Sequence, residues 1–302
     1  YLFHAMFSVM LFCMVFMLYP RASISAKRIM AVLNTETSIE NHPGNAQTDS
    51  GSGEHSVIFE HVDFVYPDGE EAVLKDISFS AKSGETVAFI GSTGSGKSSL
   101  IQLIPRFYDR ASGNIYIDGQ KIEDLDINSL RSKIGFVPQK AHLFSGTIEE
   151  NIRFGKPDAT MDEIIHAAKI AQAYDFIMEK PHQFQEQIVE GATNVSGGQK
   201  QRLSIARALI RKPEIYIYDD SFSALDFKTD ARLRKALKPE IKNAIVFLVA
   251  QRVSTILDAD KIVVLDEGKI AGIGTHRELL ASCPIYYEIA ASQLSKEELT
   301  YA

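Results

Sequence analysis

Hydrophobic positions are spread unevenly along the chain. From Leu2 to Tyr19 the sequence reads LFHAMFSVMLFCMVFMLY, an apolar run in which His4 is the one residue able to carry a positive charge. About 18 residues at about 1.5 Å rise approach the thickness of a bilayer, so this run predicts the end of a transmembrane helix. Pro20, Arg21, Lys27 and Arg28 follow it, and such a positive flank marks the cytoplasmic side. A secretory leader would carry basic residues before the apolar run and a small-residue cleavage site after it, and the sequence has neither. A buried core helix is the alternative reading. The chain starts at Tyr1 rather than Met, so an upstream part is expected. Helical spacing continues from Ala22 to Leu33. Asn34–His55 (NTETSIENHPGNAQTDSGSGEH) then holds almost nothing apolar and reads as a linker.

From Ser56 onward strand-like and helix-like segments alternate, the pattern of an α/β domain. Thr86–Ile90 is a short apolar run bounded by glycines, which predicts a buried strand. Ile215–Tyr218 and Ile245–Val249 read the same way. Asp118-Gly119 between Ile115–Ile117 and Gln120–Ile122 predicts a hairpin, and Asp266-Glu267-Gly268 between Lys261–Leu265 and Lys269-Ile270 predicts another. Thr160 with Glu163 forms a capping box, from which a helical pattern runs to Lys180 and stops at Pro181.

Composition changes this picture little. The 302 residues have ordinary hydrophobic and charged fractions, and the net charge is −7. An acidic chain with interspersed charges is a poor partner for nucleic acid, which calls for a basic surface. Cys13 and Cys283 lack metal-ligand spacing and read as free thiols of a reducing compartment.

The chemistry concentrates in three places. Gly91-Ser92-Thr93-Gly94-Ser95-Gly96-Lys97-Ser98 fits G-x-x-x-x-G-K-S, directly after the predicted Thr86–Ile90 strand and before the helical Ser99–Ile104 run. Glycines there let backbone N–H groups wrap phosphates, and the helix start adds positive potential. Lys97 would neutralise the β- and γ-phosphates while Ser98 ligates Mg²⁺. Asp219-Asp220 ends a buried strand, where a carboxylate needs a partner such as a phosphate-bound Mg²⁺; without the phosphate loop, solvated turn residues would be the simpler reading. Ser196-Gly197-Gly198-Gln199 opens an amphipathic helix and so offers a second anion-binding helix start, a plain helix cap being the bland reading. Two phosphate-grade helix starts far apart in one chain suggest two copies sharing nucleotide.

On these residues, Ser56 to about Leu294 resembles the nucleotide-binding domain of an ABC transporter. Tyr66, in Phe64-Val-Tyr-Pro67, resembles the aromatic residue that stacks on adenine, and Gly91–Ser98 the Walker A motif, which with Ser99 is expected to hold ATP. Gln139 resembles the Q-loop glutamine that touches Mg²⁺ and senses the membrane domain. Val195-Ser-Gly-Gly-Gln199 resembles the signature motif, with Val where Leu is usual. Asp219 matches the Walker B aspartate, and Ser223-Ala-Leu-Asp226 the D-loop. Glu190 resembles the acidic position of the loop that meets coupling helices in exporters. The resemblance implies ATP and Mg²⁺ as cofactors, with Ser98, Gln139 and Asp219 around the metal. It also implies a P-loop NTPase (RecA-like) α/β core, with an antiparallel β subdomain and a helical signature subdomain. The expected organisation is therefore 1–33 as the end of the last transmembrane helix, 34–55 as linker, 56–294 as the nucleotide-binding domain and 295–302 as a tail.

Two departures from the family pattern stand out. Asp220 occupies the place of the usual catalytic Glu, and Gln251, in Ala250-Gln251-Arg252, the place of the switch His. Asp is one methylene shorter than Glu, and Gln cannot become a cation. His276, beside the Thr275/Glu278 capping box, reads as the decoration of a helix start, and no other histidine has paired ligand spacing. The resemblance then implies a half-transporter of a heterodimeric, multidrug-type exporter in the cell membrane, its nucleotide-binding domain on the cytoplasmic side. Its own site is degenerate, and its signature motif completes the site of a partner chain. A homodimer with weak ATPase at both sites, a soluble ABC ATPase and a purely regulatory ATP-binding module are the alternatives.

Overall fold

The computed structural model describes residues 1–35, 37, 39, 41 and 55–294, which fall into two compact units, Tyr1–Glu40 and Asn41–Ala302. The expected linker 34–55 lies largely, and the expected tail 295–302 wholly, outside the described residues.

In the first unit, α1 (Leu2–Leu33) is a single helix of 32 residues with no buried side chain and Pro20 inside it. The apolar run and the Ala22–Leu33 stretch are thus one element, long and apolar enough to cross a membrane. Phe3, Phe16 and Met17 are each more than two-thirds exposed. Apolar surface of this extent calls for lipid or neighbouring helices rather than water.

The second unit opens with β1 (Ser56–Phe64), β2 (Leu74–Lys82), β3 (Thr86–Gly91) and α2 (Lys97–Leu103). Then come β4 (Ser112–Ile117), β5 (Gln120–Lys121), α3 (Ile127–Ser132) and β6 (Ile134–Val137). A mainly helical stretch follows, with β7 (Gly146–Thr147), α4 (Ile148–Arg153), α5 (Met161–Ile170), α6 (Tyr174–Met178), β8 (Gln187–Ile188) and α7 (Gly197–Leu209). The chain returns to alternation in β9 (Ile215–Asp219), α8 (Phe227–Glu240), β10 (Ile245–Val249), β11 (Lys261–Asp266), β12 (Lys269–Gly274), α9 (His276–Ser282) and α10 (Pro284–Gln293).

Three sheets result. The central one has six strands in the order β12-β11-β3-β10-β9-β6, all parallel except the β12 edge. An antiparallel sheet, β2-β1-β4-β5, is the expected β subdomain, and β7 pairs with β8 in the helical one. The interiors of the central strands are almost wholly apolar because both faces are covered, and the two-residue period sorts their side chains. Val87, Phe89, Ile215, Ile217, Ile245 and Phe247 face the core shared with the antiparallel sheet and α2. Ala88, Ile90, Tyr216, Tyr218, Val246 and Leu248 face the core built with α5, α7 and α8.

The predicted helix from Thr160 to Lys180 is broken. The Thr160/Glu163 capping box forms as expected, but α5 ends at Ile170 and α6 starts at Tyr174. Gln172 between them has φ of 56°, a left-handed conformation that a continuous helix excludes. Ala171 and Ala173 on either side are buried, and apolar periodicity does not register such a bend.

Candidate nucleotide site

Parallel register gathers the chemistry. Gly91 at the end of β3 is opposite Leu265 of β11, Val249 of β10 is opposite both Phe89 and Asp219, and the Asp220 N–H donates to the Val249 carbonyl at 3.0 Å. The carboxyl ends of β3, β9, β10 and β11 therefore open into one crevice, where an open α/β sheet binds its ligand. A cleft of about 710 Å³ lies there, lined by Gly91–Gly94, Gly96–Ser99, Gln139, Asp219, Asp220 and Gln251.

The phosphate loop owes its shape to backbone rather than side chains. A Cβ on Gly91 would stand 2.0 Å from the Leu265 carbonyl oxygen, so only glycine passes beneath β11 at this point. The loop then enters α2 at Lys97, with the free N–H groups of that helix start turned toward the cleft end. Lys97 is buried, and its ammonium donates to the Gly91 carbonyl at 3.0 Å, the Ser92 carbonyl at 2.7 Å and Ser95 Oγ at 3.2 Å. Burial lowers its pKa, opposed by the nearby Asp220 and Asp219 carboxylates. A partly desolvated ammonium among N–H donors attracts a polyanion strongly.

Beside the loop, Ser98 Oγ donates to Asp219 Oδ1 at 2.9 Å. A serine hydroxyl, a carboxylate and the Gln139 amide oxygen are hard oxygen donors of the kind Mg²⁺ takes. Burial raises the pKa of Asp219 from its ordinary value, which a divalent cation would reverse. The residues present fit the metal.

The water-activating end is arranged differently. Asp220 has φ of 46° and is buried. Its Oδ2 accepts from Gln251 Nε2 at 2.8 Å and from Gln139 Nε2 at 3.3 Å. Burial raises its pKa, against hydrogen bonds from Ser223 and Gln139 and the charges of Arg252 and Lys97. The two residues that depart from the family pattern are thus bonded to each other.

The remaining predicted residues lie around this core. Ser95 is buried within the loop. The Tyr66 hydroxyl is 2.8 Å from Ser99 Oγ, and its ring stands edge-on to Phe64 and Tyr108. Ser223 Oγ donates to the Asp220 carbonyl at 2.8 Å, while Asp226 caps α8 by accepting from the Thr229 N–H. Ser196 caps α7 in a full capping box with Gln199. Ser196, Gly197, Gly198 and Gln199 line no part of the cleft that the phosphate loop lines, and Ser196 and Gly197 are exposed. Glu190 is exposed in a one-turn 3₁₀ helix just before α7.

Two histidines have partners beyond their own segments, and one of them, His276, departs from expectation. His276 is buried rather than decorative, with Nδ1 2.7 Å from the Tyr286 hydroxyl, because α10 folds back over α9. His55 lies with Asp118 and Glu214 in a cluster of potential ligands. Lys133 already supplies the cation there, 2.7 Å from Asp118 and 3.2 Å from Glu214. His42 lies outside the described residues. Cys13 and Cys283 are free thiols.

Sequence reasoning missed several contributors. Gln201 of α7 donates to the Pro138 carbonyl at 3.1 Å, tying the signature helix to the residue before Gln139. Helix α10 supplies Ile285, Glu288, Ile289, Ser292 and Gln293 to the cleft wall. The spacing of Ile285 and Ile289 signals a helix face, but nothing local says what that face meets.

Residues 74–223 match the family model described as ABC transporter. The chain is 45% identical over 287 residues to an uncharacterized ABC transporter ATP-binding protein, YfiB, of Bacillus subtilis, covering 95% of this chain and 49% of that protein. It is 48% identical over 237 residues to a protein of Staphylococcus aureus provisionally named a multidrug export ATP-binding/permease protein, covering 78% of this chain and 41% of the relative. Among solved structures it is similar to a bacterial Atm1-family ABC exporter with ATP bound, with a TM-score of 0.87 and 35% identity over 94% of this chain and 49% of that one. The chain spans about half the length of the curated relatives it matches.

Proposed function

Because the chain belongs to the ABC transporters, we propose that it is the ATP-binding end of an exporter-type half-transporter that holds MgATP but turns it over slowly. The contact between Gln251 Nε2 and Asp220 Oδ2, at 2.8 Å, carries this reading. A general base must reach the proton it takes. Asp220 has a shorter reach than Glu, and its Oδ2 is engaged by two amide donors. Gln251 can donate a hydrogen bond to a γ-phosphate but adds no positive charge to a transition state.

Each residue then has a defined task. The N–H groups of Gly91–Ser98 and the Lys97 ammonium bind the phosphates, and Tyr66 offers its ring to adenine. Ser98, Asp219 and Gln139 hold Mg²⁺, whose contribution is to neutralise charge on the phosphates. The Ser196–Gln199 helix start, exposed at Ser196 and Gly197 and outside the chain's own cleft, supports a role in completing a second half-transporter's site. A partner bearing Glu and His would carry most hydrolysis, so a heterodimer fits better than a homodimer. ATP-driven closure of the two domains would move the membrane helices, and hydrolysis would reset them. The name of the staphylococcal relative supports multidrug-type export. Helix α1 and its Arg21, Lys27 and Arg28 flank support an integral position in the cell membrane, with the nucleotide domain cytoplasmic.

Single-turnover ATP hydrolysis tests the reading. The chain should bind MgATP yet hydrolyse it barely, and Asp220→Glu with Gln251→His should raise the rate by about a hundredfold. A wild-type rate of about one per second or more would sink the slow-site assignment and leave a homodimeric exporter as the better description.

A further inference from the structure

The segment that carries Gln251 has little regular structure of its own. Strand β10 ends at Val249, the Ala250 N–H donates to the Phe89 carbonyl at 3.1 Å, and a 3₁₀ turn begins at Val253. Gln251 and Arg252 bridge this gap. Across it reaches the side chain of Gln293, the last residue of α10 and some forty positions later in the chain. Its Nε2 donates to the Gln251 carbonyl at 2.9 Å, and its Oε1 accepts from the Val253 N–H at 2.8 Å. One planar amide thereby satisfies a backbone acceptor and a backbone donor on either side of Arg252, as a neighbouring strand would.

The helix behind that amide is firmly held. Tyr286 and Ala290 of α10 are fully buried, and the Tyr286 hydroxyl meets buried His276 at 2.7 Å. Ile285 and Ile289 stand in the wall of the nucleotide cleft. An anchored helix gripping a backbone at two points fixes where that backbone lies. With the Gln251 carbonyl pinned, its side chain is aimed at Asp220 Oδ2.

We propose that Gln293 is a positioning residue for Gln251, with the last helix serving as the brace that aims the switch side chain into the nucleotide site. The inference rests on the reading of Gln251 as the residue facing the γ-phosphate. Gln293 grips the 251–253 backbone rather than the phosphate loop, so its effect should appear in turnover rather than in ATP affinity.

The test uses the full chain, with MgATP affinity, single-turnover hydrolysis and amide hydrogen exchange measured side by side. Gln293→Ala should lower the single-turnover rate by about tenfold, the size of one to two lost hydrogen bonds, because with MgATP bound the Gln251 amide would be aimed at the γ-phosphate rather than at Asp220. MgATP affinity should stay within about threefold, and the Val253 amide of the nucleotide-free chain should exchange about tenfold faster. In a Gln251→Ala background the rate effect of Gln293→Ala should vanish, because no side chain remains to be aimed. An undiminished effect in that background would overturn the proposal, as would unchanged exchange at Val253. If Gln251→Ala alone left turnover unaltered, the γ-phosphate role of Gln251 would fall instead, while exchange at Val253 would still decide whether the brace exists.

Discussion

The phosphate loop and the Asp220–Gln251 pair stand at adjacent strand ends in one cleft, yet they are built on different principles. The loop works through backbone N–H groups and one buried ammonium, positioned by a contiguous stretch of eight residues that runs from the end of β3 into the start of α2. The pair works through two side chains that follow the ends of separate strands, β9 and β10, each of which satisfies the other. A backbone device keeps its binding geometry whatever happens at its neighbour. A side-chain device tuned for water activation loses its task when either partner changes length or charge. Binding and turnover can therefore separate within a single site, as the proposed slow turnover of bound MgATP requires.

Removing the charge from the loop should have the largest effect. Lys97→Ala should weaken MgATP binding about a hundredfold, as expected for loss of a charge-assisted contact in a partly desolvated site; equilibrium nucleotide binding checks it. Retained affinity would mean that the backbone alone carries the phosphates, and would sharpen the contrast further.

Next comes the loop's backbone. Gly91→Ala places a Cβ against the Leu265 carbonyl and should destabilise the domain by about 3 kcal/mol or more. Gly94→Ala meets nothing within 4 Å and has only its φ of 84° to overcome, so about 1 kcal/mol is expected. Thermal unfolding of the two variants separates close approach from conformational strain, and equal shifts would contradict the geometry.

The smallest effect is a pH dependence. Burial raises the pKa of both Asp219 and Asp220 in the folded, ligand-free domain. A raised folded value means a stability contribution fully present below the unfolded value of about 4 and lost as pH rises through the raised value. Mg²⁺ requires ionised Asp219, so stabilisation by MgATP should run the opposite way, growing as pH rises from the unfolded value of about 4 through the raised one. Melting curves with and without MgATP across that range check the sign. A loop that bound nucleotide independently of Asp219 would show no such divergence.

Much of this molecule was legible in the order of its residues. Thr86–Ile90, Ile215–Tyr218 and Ile245–Val249 became central strands because an almost wholly apolar run has nowhere to go but between two covered faces. The phosphate loop was legible for a related reason: its chemistry is local, and eight neighbouring residues contain the whole device. The Thr160, Thr275 and Ser196 caps were readable because a helix start is satisfied within four residues.

What the linear order left open was decided by contacts across the fold. The bend at Gln172 lies between buried Ala171 and Ala173, which periodicity does not weigh. The burial of His276 depends on α10 folding back over α9. Asp220 and Gln251 were each suspect from the residue types at their positions, but their mutual hydrogen bond exists only because β9 and β10 run parallel in register. Gln293 carried no signal at all, since a glutamine at a helix end is ordinary until the 251–253 backbone is found beside it. Sequence by itself determined the elements whose free energy is local, namely strand burial, caps and the phosphate loop. Only the tertiary structure decided which side chains from distant strands share one site, because register and packing are properties of the assembled sheet.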